Sequence, residues 1–274
     1  LLSFLAQLLL RTLLKQLYLR QKCTLLGVGP MSLNCVNAAI EISNEDNVPI
    51  ILIASRRQID SETFGGGYVN NWDTRSFSKY VRDRDKNKKI ILARDHGGPW
   101  QSDYEVKTKM NLSDAMNSAK KSFLEDIESD FKIIHLDPSI DIHKKPSRSE
   151  VITRLFELYE YCISVADKFK KKIIFEVGTE EQSGSTNTPN ILEEDLKKIK
   201  QFCRSNNYIE PSFVVIQSGT RVAETSNIGS FDSPVRVADE LPPEIQIPKM
   251  IEICKANNIM MKAHNTDYLS DEAL

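Results

Sequence analysis

The sequence predicts an α/β fold, a TIM (β/α)8 barrel that lacks or truncates its eighth unit. Short apolar runs, each about five residues long, recur along the chain and end abruptly in Asp, His or Glu, which is typical of strands buried on both faces. Helical segments separate these runs, as in a parallel sheet whose active site is built from strand ends. The chain has 274 residues, and one barrel needs about 250.

Seven predicted strands alternate with helices along the chain, without a shift in composition. The predicted strands are 24–30, 48–55, 88–95, 131–137, 172–177, 212–219 and 260–264. The predicted helices are 32–42, 73–81 (opening at the N-cap pair Asp73 and Thr74), 112–127, 149–169, 190–206 and 248–257. The connections are long enough for right-handed crossovers, so we expect all strands to run parallel.

A closed barrel needs an eighth strand, and none is predicted before Leu274. Either the recorded chain stops early or the barrel is incomplete. The alternative is a doubly wound open sheet. It is disfavoured because GVGP at 27–30 lacks the G-x-G-x-x-G form, and no acidic ribose-binding residue stands at the expected spacing.

Two units are expected, an N-terminal helix over 1–22 and one barrel domain over 23–274. The first segment is rich in leucine but carries Arg11, Lys15 and Arg20, so it is too interrupted for a membrane span of about 20 apolar residues. It also lacks the features of a signal peptide. Leucines cover most of the helix circumference, which predicts burial against the barrel or against a partner.

Composition excludes several classes of partner. The net charge is −2 with a pI near 6.2, an ordinary balance that predicts neither nucleic-acid binding nor attachment to an anionic membrane. The five cysteines are widely spaced and include no CxxC. Buried free thiols in a reducing compartment explain this pattern best, so we expect a cytoplasmic protein.

The third strand ends in Asp95, His96, Gly97 and Gly98. An imidazole can ligate a metal and an adjacent carboxylate can move a proton, while the two glycines would let the backbone approach a ligand. The alternative is a turn in which Asp95 is a cap and His96 is solvated.

Further candidates end the fourth and fifth strands. His135 and Asp137 alternate along a strand and therefore point to the same face, the barrel interior, where an unpaired charge is costly. They are either functional groups or a structural hydrogen-bonded pair. On the fifth strand Glu176 is expected to face inward near the top, which leaves Glu180 as the better candidate for reaching a ligand.

The last strands add a possible metal site and a phosphate site. His264 could meet His96 across the barrel mouth, and with a carboxylate this gives the His/His/acid set usual for Zn²⁺. Late loops of such barrels often hold phosphate through backbone N–H groups. The residues that follow the sixth and seventh strands, and are candidates for this role, include Gln217, Gly219, Asn265 and Asp267.

Five groups of residues, in order, resemble the tagatose-bisphosphate aldolase subunits of the GatZ/KbaZ type over about residues 24–268. They are IASRRQID with GGGYVNNW, ARDHGGPW, KIIHLDPS, EVGTEEQSG and KAHNTDY. The resemblance implies a (β/α)8 barrel related to class II, zinc-dependent ketose-bisphosphate aldolases. Members of that family are often described as non-catalytic or chaperone-like partners of a catalytic aldolase subunit, and some relatives are linked to ketose epimerisation.

The resemblance implies metal-assisted aldol cleavage of a ketose bisphosphate, such as tagatose 1,6-bisphosphate. Two alternatives stay open, a non-catalytic stabilising subunit of a class II aldolase complex and a ketose phosphate epimerase. The expected partners are a phosphorylated ketose and either a catalytic aldolase subunit or further copies of this chain. By correspondence with the family, the acid/base residues are Asp95, Asp137 and Glu180. The ligands of a divalent metal, expected to be Zn²⁺, are His96, His264 and Glu180. The residues that contact the sugar are Gln58 and Tyr68.

Overall fold

A seven-stranded parallel sheet forms the centre of the molecule. The computed structural model describes residues 12, 24–178, 188–216, 221–223, 226–228 and 243–263. The strands of the sheet are β1 (Gly27–Val28), β2 (Ile50–Ser55), β3 (Ile90–Gly97), β4 (Ile133–Leu136), β5 (Ile174–Val177), β6 (Phe213–Ile216) and β9 (Met260–Ala263). A separate antiparallel pair consists of β7 (Arg221–Ala223) and β8 (Ser226–Ile228).

Seven helices in the described part of the chain connect these strands. They are α1 (Leu33–Asp46), α2 (Thr74–Arg84), α3 (Asp103–Lys107), α4 (Leu112–Glu128), α5 (Arg148–Phe169), α6 (Pro189–Ser205) and α7 (Pro243–Ala256). Several helices begin after a side chain that accepts a backbone N–H, such as Asp73 before α2. Helix α5 opens with a full capping box, in which Ser147 and Glu150 each accept from the other's backbone.

The order of the sheet confirms the predicted architecture, a TIM-barrel-like fold that lacks a unit. Neighbouring strands follow the chain in sequence from β1 to β6 and then to β9, without the reversal that defines a doubly wound sheet. The predicted strands and helices are found, although β1 has only two residues and α7 begins five residues before its predicted start. The short helix α3 and the β7–β8 pair were not predicted, because elements of three to five residues are too short to show a period.

The sheet is strongly curled. Three strands lie between β3 and β9, so in a flat sheet they would be four spacings, or roughly 19 Å, apart. Yet Lys262 Nζ on β9 lies 3.3 Å from Asp95 Oδ1 on β3. A lysine side chain is too short to bridge the flat-sheet distance, so the strands must wrap around an enclosed inner face.

Two apolar cores follow from this wrapping. The larger one fills the space between the outer face of the sheet and the helices, where Phe175 and Leu136 meet residues such as Phe123 and Leu155. The smaller one lies inside the curl and consists of Ile51, Ala93, Ile133, Ile174 and Phe213. Alternate residues of each strand therefore serve different cores, as the period of two requires.

Several predictions concern residues outside the described part of the chain. Apart from Thr12, the expected N-terminal helix over 1–22 is among them. So are the candidate site residues Glu180, Gln217, Gly219, His264, Asn265 and Asp267. The four described cysteines are free thiols, three of them buried, as expected. No described helix combines the length and apolar character needed to cross a membrane.

Candidate active site

A layer of ionisable side chains lies on the inner face of the sheet, directly beyond the inner core towards the carboxyl ends of the strands. Each member follows an apolar residue of the inner face by two positions, so both side chains point into the curl. The members are Asp95, His135, Glu176 and Lys262, and the apolar residues before them are Ala93, Ile133, Ile174 and Met260. We call these four residues the inner layer.

The inner layer is a tight cluster of opposite charges. His135 Nδ1 lies 3.2 Å from Glu176 Oε1 and 3.6 Å from Asp95 Oδ1. Lys262 Nζ donates to the same two oxygens, at 2.7 Å to Glu176 and 3.3 Å to Asp95. Burial lowers the pKa of Lys262, but the charges of Glu176 and Asp95 outweigh it and raise this pKa above its ordinary value.

A bulge at the end of β3 brings two adjacent side chains to the same place. The register of β3 on β4 shifts between Arg94 and Gly97, and His96 adopts a φ of 44°, in the left-handed region that non-glycine residues rarely occupy. As a result the rings of His96 and His135 lie 5.4 Å apart between centroids, and the His96 backbone N–H donates to His135 Nδ1 at 3.1 Å. Asp95 and His96 therefore both contact His135, which a regular strand would prevent.

Asp137 holds the imidazole of His96 in place. His96 Nδ1 lies 2.7 Å from Asp137 Oδ2, and the same oxygen accepts from Gln101 Nε2 at 2.9 Å. Burial lowers the pKa of His96, but Asp95 and Asp137 outweigh it and raise that pKa to about 9. Burial raises the pKa of Asp137, yet the hydrogen bond and charge of His96 bring it well below its usual range. The His96 side chain is 28% exposed, so this pair faces the barrel mouth.

The two glycines after His96 serve the close approach of β3 to β4. A Cβ on Gly97 would lie 2.6 Å from His135 O, and one on Gly98 would lie 2.0 Å from Asp137 O. Real Cβ atoms essentially never approach other atoms so closely. The absence of side chains at Gly97 and Gly98 therefore lets the backbone pack closely against the neighbouring strand.

A buried arginine that was not singled out from the sequence ties the loop after β3 to the end of β2. Arg56 Nη1 donates to Gly98 O at 2.9 Å and to Glu105 Oε1 at 2.6 Å, while Nε donates to Asp60 at 3.0 Å. All three charged side chains are fully buried. Arg56 therefore fixes the segment that carries Gly98, next to the His96–Asp137 pair.

Of the residues predicted for the site, the structure brings together Asp95, His96 and Asp137. Gln58 Oε1 accepts from Ser55 N at 2.9 Å, and Ser55 is the partner of Asp95 in the pairing of β2 with β3. Tyr68 is exposed. Sequence reasoning left His135 open as a structural residue, ranked Glu176 below Glu180 and did not consider Lys262. The signal that identifies all three is their spacing of two from the inner core, which strand-end position alone does not reveal.

The inner layer has the donor chemistry of a divalent metal site. One ligand atom each from Asp95, His135 and Glu176 lie within 4.8 Å of one another. Two carboxylates and an imidazole suit Zn²⁺ or Mn²⁺. The residues therefore fit a divalent cation by type and spacing, although the ammonium group of Lys262 contacts two of the same carboxylate groups.

The curled parallel sheet, with its apolar inner core and a polar layer at the carboxyl ends of the strands, defines a protein of the TIM-barrel class. The model of the family described as D-tagatose-1,6-bisphosphate aldolase subunit GatZ/KbaZ-like matches residues 10–199. The chain belongs to this GatZ/KbaZ-like family, which confirms the resemblance inferred from the sequence motifs.

Solved structures support the same fold. A protein of Sinorhizobium meliloti 1021 described as a probable tagatose 6 phosphate kinase matches with a TM-score of 0.69 and 16% identity, over 92% of this chain and 61% of its own. Fructose-bisphosphate aldolase of Campylobacter jejuni matches with a TM-score of 0.52 and 11% identity, over 91% of this chain and 66% of its own. The chain thus spans less than two thirds of the length of either protein. No curated protein matches its sequence significantly.

Proposed function

We propose that this chain takes part in metal-assisted aldol cleavage of a phosphorylated ketose, with a ketose 1,6-bisphosphate as the substrate class. Family membership makes it an aldolase-related protein of carbohydrate metabolism. The single observation that supports a catalytic role best is the convergence of Asp95, His135 and Glu176 at the carboxyl end of the sheet. Barrel enzymes carry their chemistry at this end.

In this proposal the three residues hold a divalent cation, with Zn²⁺ as the expected ion. When bound, the cation supplies Lewis-acid polarisation of a ketone oxygen, the role of metals in class II aldol chemistry. Glu176 and His135 are both buried, so their metal-ligand atoms have little freedom to move. The predicted ligands Glu180 and His264 follow β5 and β9 closely in the chain and remain candidates for completing the set.

In this proposal the His96–Asp137 pair takes part in acid/base catalysis. Asp137 fixes the orientation of the imidazole through Nδ1, and the ring faces the barrel mouth. His96 Nε2 lies 3.7 Å from Asp95 Oδ2, the oxygen opposite the one that contacts Lys262. In a retro-aldol cleavage a hydroxyl proton must leave as the carbon–carbon bond breaks, and Asp95 is placed to accept it. His96, whose pKa of about 9 keeps its imidazole protonated at neutral pH, stands beside Asp95 to supply a proton to the carbon left by the cleavage.

The test is cleavage of tagatose 1,6-bisphosphate and fructose 1,6-bisphosphate, followed by a coupled assay for triose phosphate. We expect cleavage with Zn²⁺ or Mn²⁺ that is lost on chelation, and we expect Asp95→Asn to lower kcat by about 100-fold or more. Glu157→Gln, on the exposed face of α5 and paired with Lys120, is the control and should retain full activity. No cleavage by the purified chain with either metal would contradict a catalytic role for this chain alone.

A second candidate is a stabilising subunit of a class II aldolase. Its support is the family's description as an aldolase subunit and the ammonium group of Lys262 among the carboxylates. Mixing this chain with a catalytic class II aldolase subunit should then raise the melting temperature or the activity of that subunit. Asp95→Asn should leave this effect unchanged, which separates the second candidate from the first.

A further inference from the structure

Lys262 carries a cation into the centre of the inner layer. It stands on β9, and its Nζ lies 2.7 Å from Glu176 Oε1 and 3.3 Å from Asp95 Oδ1. Its side chain is only 16% exposed, and the chain positions of Lys262 and Asp95 differ by 167. The curl of the whole sheet therefore delivers a positive charge to two carboxylates that are largely removed from water.

These two oxygens belong to the carboxylates that, with His135, could hold a metal at this centre. Both face His135 Nδ1, at 3.2 Å from Glu176 Oε1 and 3.6 Å from Asp95 Oδ1. A divalent ion bound by the same carboxylates would lie close to this ammonium group, and their positive charges repel strongly when poorly screened. The ammonium group at its observed position therefore opposes the binding of a metal.

We propose that Lys262 is the internal cation of this centre and that a divalent metal binds only by displacing its ammonium group from Glu176 and Asp95. The lysine brings one positive charge to two largely buried carboxylates in the metal-free chain, which lowers the cost of removing them from water. Its flexible four-carbon stem allows the ammonium group to move away. The inference concerns the occupancy of the carboxylates, so it goes beyond the proposed function and stands whether or not this chain cleaves a sugar.

The test is the affinity for Mn²⁺ alone, measured by calorimetry on the purified full chain. Lys262→Met removes the competing cation, and we expect the dissociation constant to fall by about tenfold or more, because the competent state is no longer a minor one. Lys262→Arg keeps the charge and should bind as weakly as the wild type. The matched control is Lys200→Met, since Lys200 is also 16% exposed but donates to Asn257 away from this centre.

A second measurement tests the proposal even if Lys262→Met is less stable than the wild type. Thermal unfolding with and without Mn²⁺ should show a larger metal-induced rise in Tm for this variant than for the wild type, because binding to the native state stabilises it. Adding Glu176→Gln to Lys262→Met should abolish the larger rise.

The proposal is overturned if Lys262→Met and the wild type bind Mn²⁺ equally, if neither binds it, or if Mn²⁺ does not restore a variant that fails to fold. Equal binding would leave the proposed aldol function intact, because that function is tested separately by the release of triose phosphate. An inactive chain whose Lys262→Met variant binds Mn²⁺ more tightly would contradict the proposed function and support the displacement of Lys262.

Discussion

At the residue scale, the structure at the end of β3 depends on two kinds of position. At one the backbone has an unusual conformation, and at the other there is no room for a side chain. His96 lies in the left-handed region, and a Cβ on Gly98 would overlap Asp137 O. Strained backbone of this kind persists only where the surroundings enforce it, and it is common at functional sites. The sequence indicates Asp95 and His96 as candidates for the site, but the bulge that brings both to His135 could not be predicted, because it depends on the register with β4.

We predict that Gly98→Ala destabilises the protein by about 1–3 kcal/mol, since the added methyl group must push the loop away from Asp137. Urea denaturation followed by circular dichroism measures this difference. Gly27→Ala is the control, because its Cβ would meet only Ile53 at an ordinary 3.5 Å, and it should change stability by less than about 0.5 kcal/mol. Equal stability of Gly98→Ala and the wild type would show that the loop has more room than its geometry indicates.

At the element scale, the short helix α3 is held by charge as well as by packing. Glu105 on α3 bonds Arg56, which also bonds Asp60 and Gly98 O, so one guanidinium group connects α3, the end of β2 and the loop after β3. The longer helices were predictable from their period and their caps. Helix α3 was not, because its position depends on a contact with a residue 49 positions away.

We predict that Arg56→Met costs about 3–5 kcal/mol of unfolding free energy, because it removes the cation that contacts the buried carboxylates of both Asp60 and Glu105. Lys79→Met removes one partner of an exposed pair with Asp83 and should cost less than about 1 kcal/mol. Both values come from urea titrations at the same pH. A cost for Arg56→Met as small as that of Lys79→Met would mean that the buried cluster adds nothing to stability.

At the scale of the whole molecule, the inner core supports the inner layer. Ile133 and Ile174 pack inside the curl, and His135 and Glu176 stand two residues further along the same strands. The positions of the site residues therefore depend on how well the apolar side chains below them fill the interior. The described strands reach this arrangement within one continuous sheet.

We predict that Ile174→Ala destabilises the protein by about 2–5 kcal/mol, through lost apolar burial and the cavity left inside the curl. Ile245→Ala, at an exposed position of α7, should change stability by less than about 0.5 kcal/mol. The melting temperature and the urea midpoint of both variants provide the measurement. Similar small effects of the two substitutions would argue that the inner face is not a packed core.

The sequence by itself determined the series of strands and helices, the barrel-like class and the family. Those properties rest on local patterns, such as the apolar runs that end at Asp95 and Asp137, and on short motifs. Only the tertiary structure decided that Asp95, His135, Glu176 and Lys262 form one cluster. Their contacts join strands far apart in the chain, and the distances depend on the curl and register of the whole sheet, which no local pattern records.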